Sequence, residues 1–355
     1  MTTTTAQRIS LQSPEYLCCS VPHLLGFHPV DSAVLLWLVD GVIELAQRID
    51  LPASNHDREP WLDAVWGHQA APRADEVLVV LVPPATVPPA TDPQVALTEV
   101  SAWIADTARR RGPVLRDVIL LDHDTWRSML CTDLTCCPPA GNAINAMVRA
   151  EVAAEFAYVG SAPLPARANV LAAFDTDPMG VAEVMATGVL ARAPVHACRL
   201  EPWRDRMLAN LLDWVAQPNA ADPAHRCAHL LIALRDIRVR DTLLWEISHV
   251  DRESLMRAQG QLARLMRMAP PGDVAPVATC VGLCAWLLGD GVRAATAAQL
   301  ALTDDPRYRM ALILQASVQA GLPPSEWQRA MAGLSREICR HGDQGGDADP
   351  EDDAL

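Results

Sequence analysis

The chain has 355 residues, half of them apolar and a fifth charged, which suits roughly two folded domains and excludes a disordered or disulfide-dense small protein. All 29 basic residues are Arg, and the absence of Lys excludes Schiff-base enzymes, Walker-A phosphate loops and protein kinases of the usual form. The 43 acidic residues bring the net charge to −14, which argues against a nucleic-acid partner.

The first predicted element is a helix. Ser13 followed by Pro14 is typical of a helix start, and the apolar pattern continues to Leu25. Pro22 lies inside this stretch and predicts a kink or a break into two short pieces.

Two strands joined by a tight turn are predicted next. Residues 32–39 are apolar without alternation, which indicates a strand buried on both faces. Asp40-Gly41 is the dipeptide most typical of a two-residue hairpin. Residues 42–49 alternate in polarity and indicate a half-exposed strand. We therefore expect an antiparallel pair here, followed by a short helix near 59–69.

A parallel pair of strands is predicted after that. Residues 76–82 and 116–121 are buried strands, and the helical pattern of 93–111 lies between them. The order strand, helix, strand implies a right-handed parallel crossover in one sheet. A further short strand is expected at 126–130 and a helix over 142–158.

The remainder of the chain is predicted to be helical. Helical patterns occur at 178–192, 201–216, 222–236, 240–249, 252–268, 274–288, 291–302, 306–320 and 324–339. The last four pair as helix–turn–helix units. The sequence thus predicts an α/β domain with a mixed sheet of four to five strands over 10–162, an all-α helical-hairpin domain over 163–340 and a disordered acidic tail over 341–355.

Three segments carry a resemblance to a known family. They are Leu25-Gly26-Phe27-His28-Pro29, Cys136-Cys137-Pro138-Pro139-Ala140-Gly141, and the stretch from Ala278 to Trp327. Together, and in this order, they resemble a domain-of-unknown-function family of actinobacteria, over about residues 10–327. The resemblance implies a bacterial cytoplasmic protein and no particular reaction.

Membrane and export segments are not expected. The N-terminus lacks an apolar signal region, and the apolar stretches 33–39 and 277–288 are shorter than the ~20 residues of a spanning helix. The sequence therefore predicts a cytoplasmic protein whose ten Cys are mostly reduced thiols.

A cysteine cluster is the first candidate site. Cys131, Cys136 and Cys137 lie close in sequence and could bind zinc together with His123 or a nearby Asp. Packed structural thiols at a tight turn are the interpretation that we favour, and a reversible disulfide is a further alternative. The spacing departs from Cys-x-x-Cys, and adjacent cysteines rarely both reach one tetrahedral ion. The sequence predicts no cofactor, although this cluster leaves zinc open.

Asp122-His123-Asp124 is the second candidate site. It follows the strand 116–121, and sites in open α/β sheets gather beyond the carboxyl ends of strands. A His flanked by carboxylates could act as a base or a metal ligand, or it could simply cap the strand.

Three other groups are weaker candidates. His225 and His229 have the i, i+4 spacing of a two-imidazole metal site, although a surface role is the simpler interpretation. Cys280 and Cys284 share a face of an apolar helix, which favours core packing over redox chemistry. The third group is His28, Asp31 and Ser32, which are the residue types of a hydrolase triad. The Gly-x-Ser-x-Gly elbow that usually carries the nucleophile is absent from the sequence.

Two functions of different classes are compatible with these observations. The leading hypothesis is an interaction or regulatory module that binds a partner protein through its helical half. A homo-oligomer is compatible with the sequence, whereas binding to nucleic acid or to a membrane is not expected. The alternative is a metal- or thiol-dependent enzyme or redox sensor, and the residues it would use are Asp122, His123, Asp124, Cys131, Cys136 and Cys137. The sequence leaves open whether the protein is an enzyme.

Overall fold

The computed structural model describes residues 13–67, 74–84, 93–158, 162–190, 197–217 and 223–342. These form two compact units, one comprising Met1–Val170 with Ala320–Leu322 and the other Leu171–Gln319 with Pro323–Leu355. The predicted disordered tail lies outside the described residues from position 343 onward.

The first unit contains one six-stranded sheet. Its strands are β1 Ser32–Val39, β2 Val42–Asp50, β3 Glu76–Val82, β4 Val114–Asp122, β5 Thr125–Ser128 and β6 Asn142–Ala143, in the spatial order β2-β1-β3-β4-β5-β6. β3 and β4 are parallel, and the other neighbours are antiparallel. The predicted mixed sheet is confirmed, as are the antiparallel hairpin and the parallel crossover pair.

The helices are α1 Pro14–Leu25, α2 Arg58–Trp66, α3 Pro93–Arg111, α4 Ala146–Tyr158, α5 Arg167–Ala172, α6 Pro178–Ala186, α7 Ala197–Ala216, α8 Ala224–Arg235, α9 Ile237–Ile247, α10 Arg252–Arg267, α11 Val274–Leu287, α12 Gly291–Asp304, α13 Arg309–Gln319, α14 Pro324–Ala332 and α15 Arg336–His341. A short 3₁₀ turn, Asn55–Asp57, precedes α2. From Leu171 onward, the regular elements within the described ranges are all helices.

The first helix differs from its prediction in one respect. Ser13 Oγ accepts a hydrogen bond from the backbone N–H of Tyr16, so the helix starts as predicted. The helix is continuous through Pro22, and the predicted break into two pieces does not occur. A proline removes one backbone hydrogen bond of the helix, and the buried side chains of Leu17 and Val21 hold this helix in place.

The predicted helix over 142–158 starts later than expected. Asn142 and Ala143 pair with β5 and add a sixth strand to the sheet, where we predicted four to five. Asn145 Oδ1 then accepts a hydrogen bond from the backbone N–H of Met147, which begins α4. Polar caps and strand partners compete for the same backbone groups, and here the sheet takes the first two residues.

The centre of the sheet is buried on both faces, as the unbroken apolar run of β1 predicts. Ala33, Leu35 and Trp37 face a core formed with α2 and α3, and all three side chains are fully buried. The Trp37 ring meets the Trp66 ring edge-on at 5.4 Å between centroids. This packing fixes β1 of the hairpin against α2 and α3.

The β1–β2 hairpin gives a first test of the fold. Asp40 and Gly41 both have positive φ, 49° and 74°, as a tight two-residue turn of this hand requires. A Cβ at Gly41 would meet nothing within 4 Å, so only backbone strain opposes a side chain there. We expect Gly41→Val to lower the free energy of unfolding by about 1 kcal/mol, measured by urea denaturation. Gly41→Asn is the control and should cost less, because Asn tolerates this conformation; equal losses in the two variants would contradict the assignment.

The helical unit is built around α11. Every residue of α11 from Ala275 to Trp286 is buried, and α10, α12 and α13 pack against it. The helix predicted over 324–339 is instead two helices, α14 and α15. Ser335 Oγ accepts from the backbone N–H of Ile338 and starts a new helix at that point.

Candidate metal centre

A hairpin turn carries the Asp122-His123-Asp124 group. Asp122 pairs with Thr125 across the β4–β5 ladder, so His123 and Asp124 form a two-residue turn. His123 Nδ1 lies 2.6 Å from Asp122 Oδ1, and this hydrogen bond is the main cause that raises the pKa of His123. Asp124 forms an ion pair with Arg149 at 2.7 Å. The group lies at the carboxyl end of β4 on an exposed turn, where Asp122 binds His123 and Asp124 binds Arg149 of α4.

The segment after β5, residues 129–141, is called the thiol loop here, and its start is fixed to the sheet. Ser128 Oγ donates to Asp117 Oδ1 at 2.6 Å and accepts from the backbone N–H of Leu130 and Cys131 at 3.2 and 3.1 Å. Burial raises the pKa of the Asp117 carboxyl. The backbone at Cys131 is therefore tied to β4 through one hydroxyl.

A compact turn places the other two thiols. The Asp133 carbonyl accepts from the backbone N–H of Cys136 and Cys137 at 3.2 and 2.8 Å. Asp133 Oδ1 also accepts from the backbone N–H and the hydroxyl of Thr135, at 2.8 and 2.7 Å. These bonds lower the pKa of Asp133, because they favour its charged form. One residue thus shapes the whole turn between the cysteines.

The end of the thiol loop is held as well. The Pro138 carbonyl accepts from the backbone N–H of Gly141 at 2.8 Å, and Asn142 Nδ2 donates to the Cys136 carbonyl at 3.0 Å. Arg127 Nη1 donates to the Pro139 carbonyl at 3.3 Å. Both ends of the loop are consequently attached to the β5–β6 edge of the sheet.

The loop brings three thiols together. The Sγ atoms of Cys131, Cys136 and Cys137 all lie within 4.8 Å of one another, and those of Cys136 and Cys137 are 4.0 Å apart. A zinc ion with Zn–S bonds of about 2.3 Å holds its thiolates about 3.8 Å apart. The Sγ atoms of the two adjacent cysteines therefore lie near the separation that zinc requires. Adjacent cysteines rarely both reach one tetrahedral ion, but in this loop their positions allow it.

Exposure differs among the three thiols. Cys136 is exposed, Cys131 is half-buried and Cys137 is buried. The hydrogen bond and the charge of Cys137, followed by those of Cys131, raise the pKa of Cys136 to about 11. Three thiols this close resist ionising together, since each thiolate opposes the next.

The structure separates the two candidate sites that the sequence placed side by side. Among the His, Cys, Asp and Glu side chains that it describes, the three thiols are the only group of three whose ligand atoms come this close. His123 and its neighbouring carboxylates are not in that group, so the structure does not bring in the fourth ligand that the sequence suggested. The sequence analysis did not identify Ser128 or Asp133 as residues that shape the loop. The Asp-x-Thr pattern, which is typical of a turn, could have indicated Asp133, whereas no local pattern indicates Ser128.

The side chains of the three weaker candidate groups contact their neighbours or pack in the core. The His225 and His229 rings are 4.4 Å apart, and His229 Nδ1 donates to the His225 carbonyl. Cys280 and Cys284 are fully buried, and burial raises the pKa of Cys280 to about 12, so they are core thiols as predicted. Ser32 Oγ donates to the Val30 carbonyl and accepts from Arg48, which is a backbone-holding role.

Comparison with known families places the chain. A family model described as Domain of unknown function (DUF4192) matches residues 14–325. The chain belongs to this family. The DUF4192 match includes the β4–β5 hairpin and the thiol loop, and it confirms the resemblance to a family of unknown function. Neither the curated proteins nor the solved structures gave a match. In the described part of this DUF4192 chain, no helix combines the length and apolar character needed to cross a bilayer.

Proposed function

We propose that Cys131, Cys136 and Cys137 bind one zinc ion and that the protein acts as a metal-dependent sensor or enzyme through this loop. The observation that carries the proposal is the convergence of three Sγ atoms within 4.8 Å on a loop held at both ends. Thiolates are preferred ligands of zinc and other soft ions, and a pre-formed site reduces the ordering cost of binding.

The exposure of Cys136 favours a metal site over packed structural thiols. Buried free Cys behaves as a small apolar side chain, as Cys280 does. Cys136 faces solvent instead. Apolar packing therefore does not account for a thiol at this position, whereas metal binding does.

Three protein ligands leave one zinc position open. Structural zinc sites are closed by four protein ligands, and catalytic sites keep three with a fourth position for water or substrate. Cys136 is the exposed member, so solvent reaches the cluster from its side. A site of this type would bind a small exogenous ligand at the fourth position when zinc is present.

Zinc content of the purified full-length protein tests the proposal. We expect one zinc per chain by elemental analysis, and thiolate-to-cobalt charge transfer when cobalt replaces zinc. Cys136→Ser and Cys137→Ser should each weaken zinc binding about 100-fold or more, measured by competition with a chromophoric chelator, since each removes a direct ligand.

Two variants serve as controls for this experiment. Cys339→Ser removes a half-buried thiol outside the cluster, and His123→Ala removes the imidazole that the structure leaves out of it. Both should bind zinc as the unmodified protein does. Absence of zinc, or an equal loss in His123→Ala and Cys136→Ser, would contradict the assigned ligand set.

The partner-binding role of the helical half and the cytoplasmic location are retained as predictions beside this proposal. A reducing cytoplasm would keep the three thiols available for metal. The expectation of a protein partner rests on the helix pairs and on the catalytic motifs that the sequence lacks.

A further inference from the structure

We infer that the thiol cluster is a redox switch, in which a hydroperoxide joins Cys131 to Cys136 as a disulfide and thereby releases the metal. This inference rests on the proposed zinc site and adds its regulation. A disulfide withdraws two of the three thiolate ligands, so the remaining thiol of Cys137 cannot hold the ion alone.

The arrangement of the thiols supports such a switch. Cys136 is exposed and meets the oxidant first, and Cys131 is half-buried with its Sγ within 4.8 Å of the Cys136 Sγ. Hydrogen bonds from the backbone of Cys131 to Ser128 and from the backbone of Cys136 to Asp133 keep both residues in place. To form a bond, the two sulfurs must approach from within 4.8 Å to about 2.05 Å.

Backbone geometry selects Cys131 as the partner of Cys136. Adjacent residues have Cα atoms about 3.8 Å apart across a trans peptide, whereas disulfides usually join Cα atoms about 4.4–6.8 Å apart. A bond between the adjacent Cys136 and Cys137 would therefore be strained. Cys131 is separated from Cys136 by the turn at Asp133, which permits the usual spacing.

The chemistry balances in two steps. The Cys136 thiolate attacks the outer peroxide oxygen, an S–O bond forms, the O–O bond breaks, and the alkoxide leaves and takes a proton from solvent. The Cys131 thiolate then attacks the Cys136 sulfur, the S–S bond forms, the S–O bond breaks, and hydroxide leaves and takes a proton from solvent to become water. Two thiols are oxidised by two electrons, and one hydroperoxide is reduced to an alcohol and water.

Treatment of the zinc-loaded full-length protein with hydrogen peroxide tests the inference. Released zinc is followed with a chromogenic chelator. The mass of the tryptic peptide 128–149, which contains all three thiols, is measured by mass spectrometry after alkylation of free Cys. We expect one zinc ion to be released for each peptide that loses two hydrogens, and the affinity for zinc to be at least 100-fold weaker after oxidation. A dithiol reductant should restore both the peptide mass and the zinc affinity.

Variants and the metal-free protein distinguish the outcomes. In metal-free protein, Cys137→Ala should still form the disulfide, Cys131→Ala should not, and Cys339→Ser should behave as unmodified protein. Zinc retained by the oxidised protein, a disulfide that persists in Cys131→Ala, or sulfinic acid without a disulfide would overturn the inference. Failure of the untreated protein to bind zinc would instead remove the proposed function and the coupling, and the metal-free peptide mass would still report whether the disulfide forms.

Discussion

Gly141→Val should lower the free energy of unfolding by about 3 kcal/mol and loosen the thiol loop. Gly141 has a φ of 77°, where a β-branched side chain is strained. A Cβ there would also lie 3.1 Å from Thr125 Cβ and 3.2 Å from Thr125 Oγ1, on the strand that supports the loop. The strain and the crowding add, because neither can be relieved without moving the turn away from β5.

Comparison with the hairpin glycine separates the two causes. Gly41 has a similar φ of 74°, and a Cβ added there would have no neighbour within 4 Å, so Gly41→Val reports backbone strain alone. Urea denaturation of both variants should show the larger loss for Gly141→Val, and chelator competition should show weaker zinc binding only in that variant. Equal losses would mean that Thr125 moves aside freely and that the contact does not hold the loop.

Gly282→Val should destabilise the helical unit by about 3 kcal/mol. Gly282 lies in the middle of α11, and a Cβ there would lie 2.6 Å from Leu314 Cδ2 and 3.2 Å from Ala297 Cβ. Its position is buried between α12 and α13, where the small side chain lets the helices approach closely. Valine adds three carbons to a site with no room for the first, and packed cores relax only in part.

A helical glycine with open space around it supplies the matched control. Gly260 lies inside α10, and a Cβ added there would have no neighbour within 4 Å, so Gly260→Ala should raise stability by about 1 kcal/mol through helix propensity. Thermal and urea unfolding followed by circular dichroism measure both changes. A Gly282→Val protein as stable as the unmodified chain would show that α11 and its neighbours are not closely packed there.

Local patterns predict much of the first unit. The unbroken apolar run of β1, the Asp40-Gly41 turn and the Ser13 cap each act through neighbouring residues, and each appears in the structure. Two boundaries differ, one because of a strand partner and the other because of a side-chain cap. Asn142 joins a distant strand, and Ser335 starts a new helix where the apolar period continues.

The candidate site was only partly visible in the sequence. Spacing identified Cys131, Cys136 and Cys137, but the three interpretations of the cluster stayed open because spacing does not give Sγ separations or exposure. The distances depend on Ser128, which reaches Asp117 across the β4–β5 ladder, and on the turn at Asp133. His123 was a plausible fourth ligand because it lies close to the cysteines in sequence. In the structure its side chain binds Asp122 instead.

The sequence by itself determined the mixed sheet, the helical half, the excluded lysine chemistries and the membership of a family of unknown function. These follow from composition, periodicity and turn residues, which act over a few positions along the chain. Tertiary structure alone decided which thiols meet, which of them faces solvent and which glycines are crowded. Those properties depend largely on contacts between different elements, such as Ser128 with Asp117 and Gly282 with Leu314. The free energy of such contacts is set by packing, which a pattern within one element does not specify.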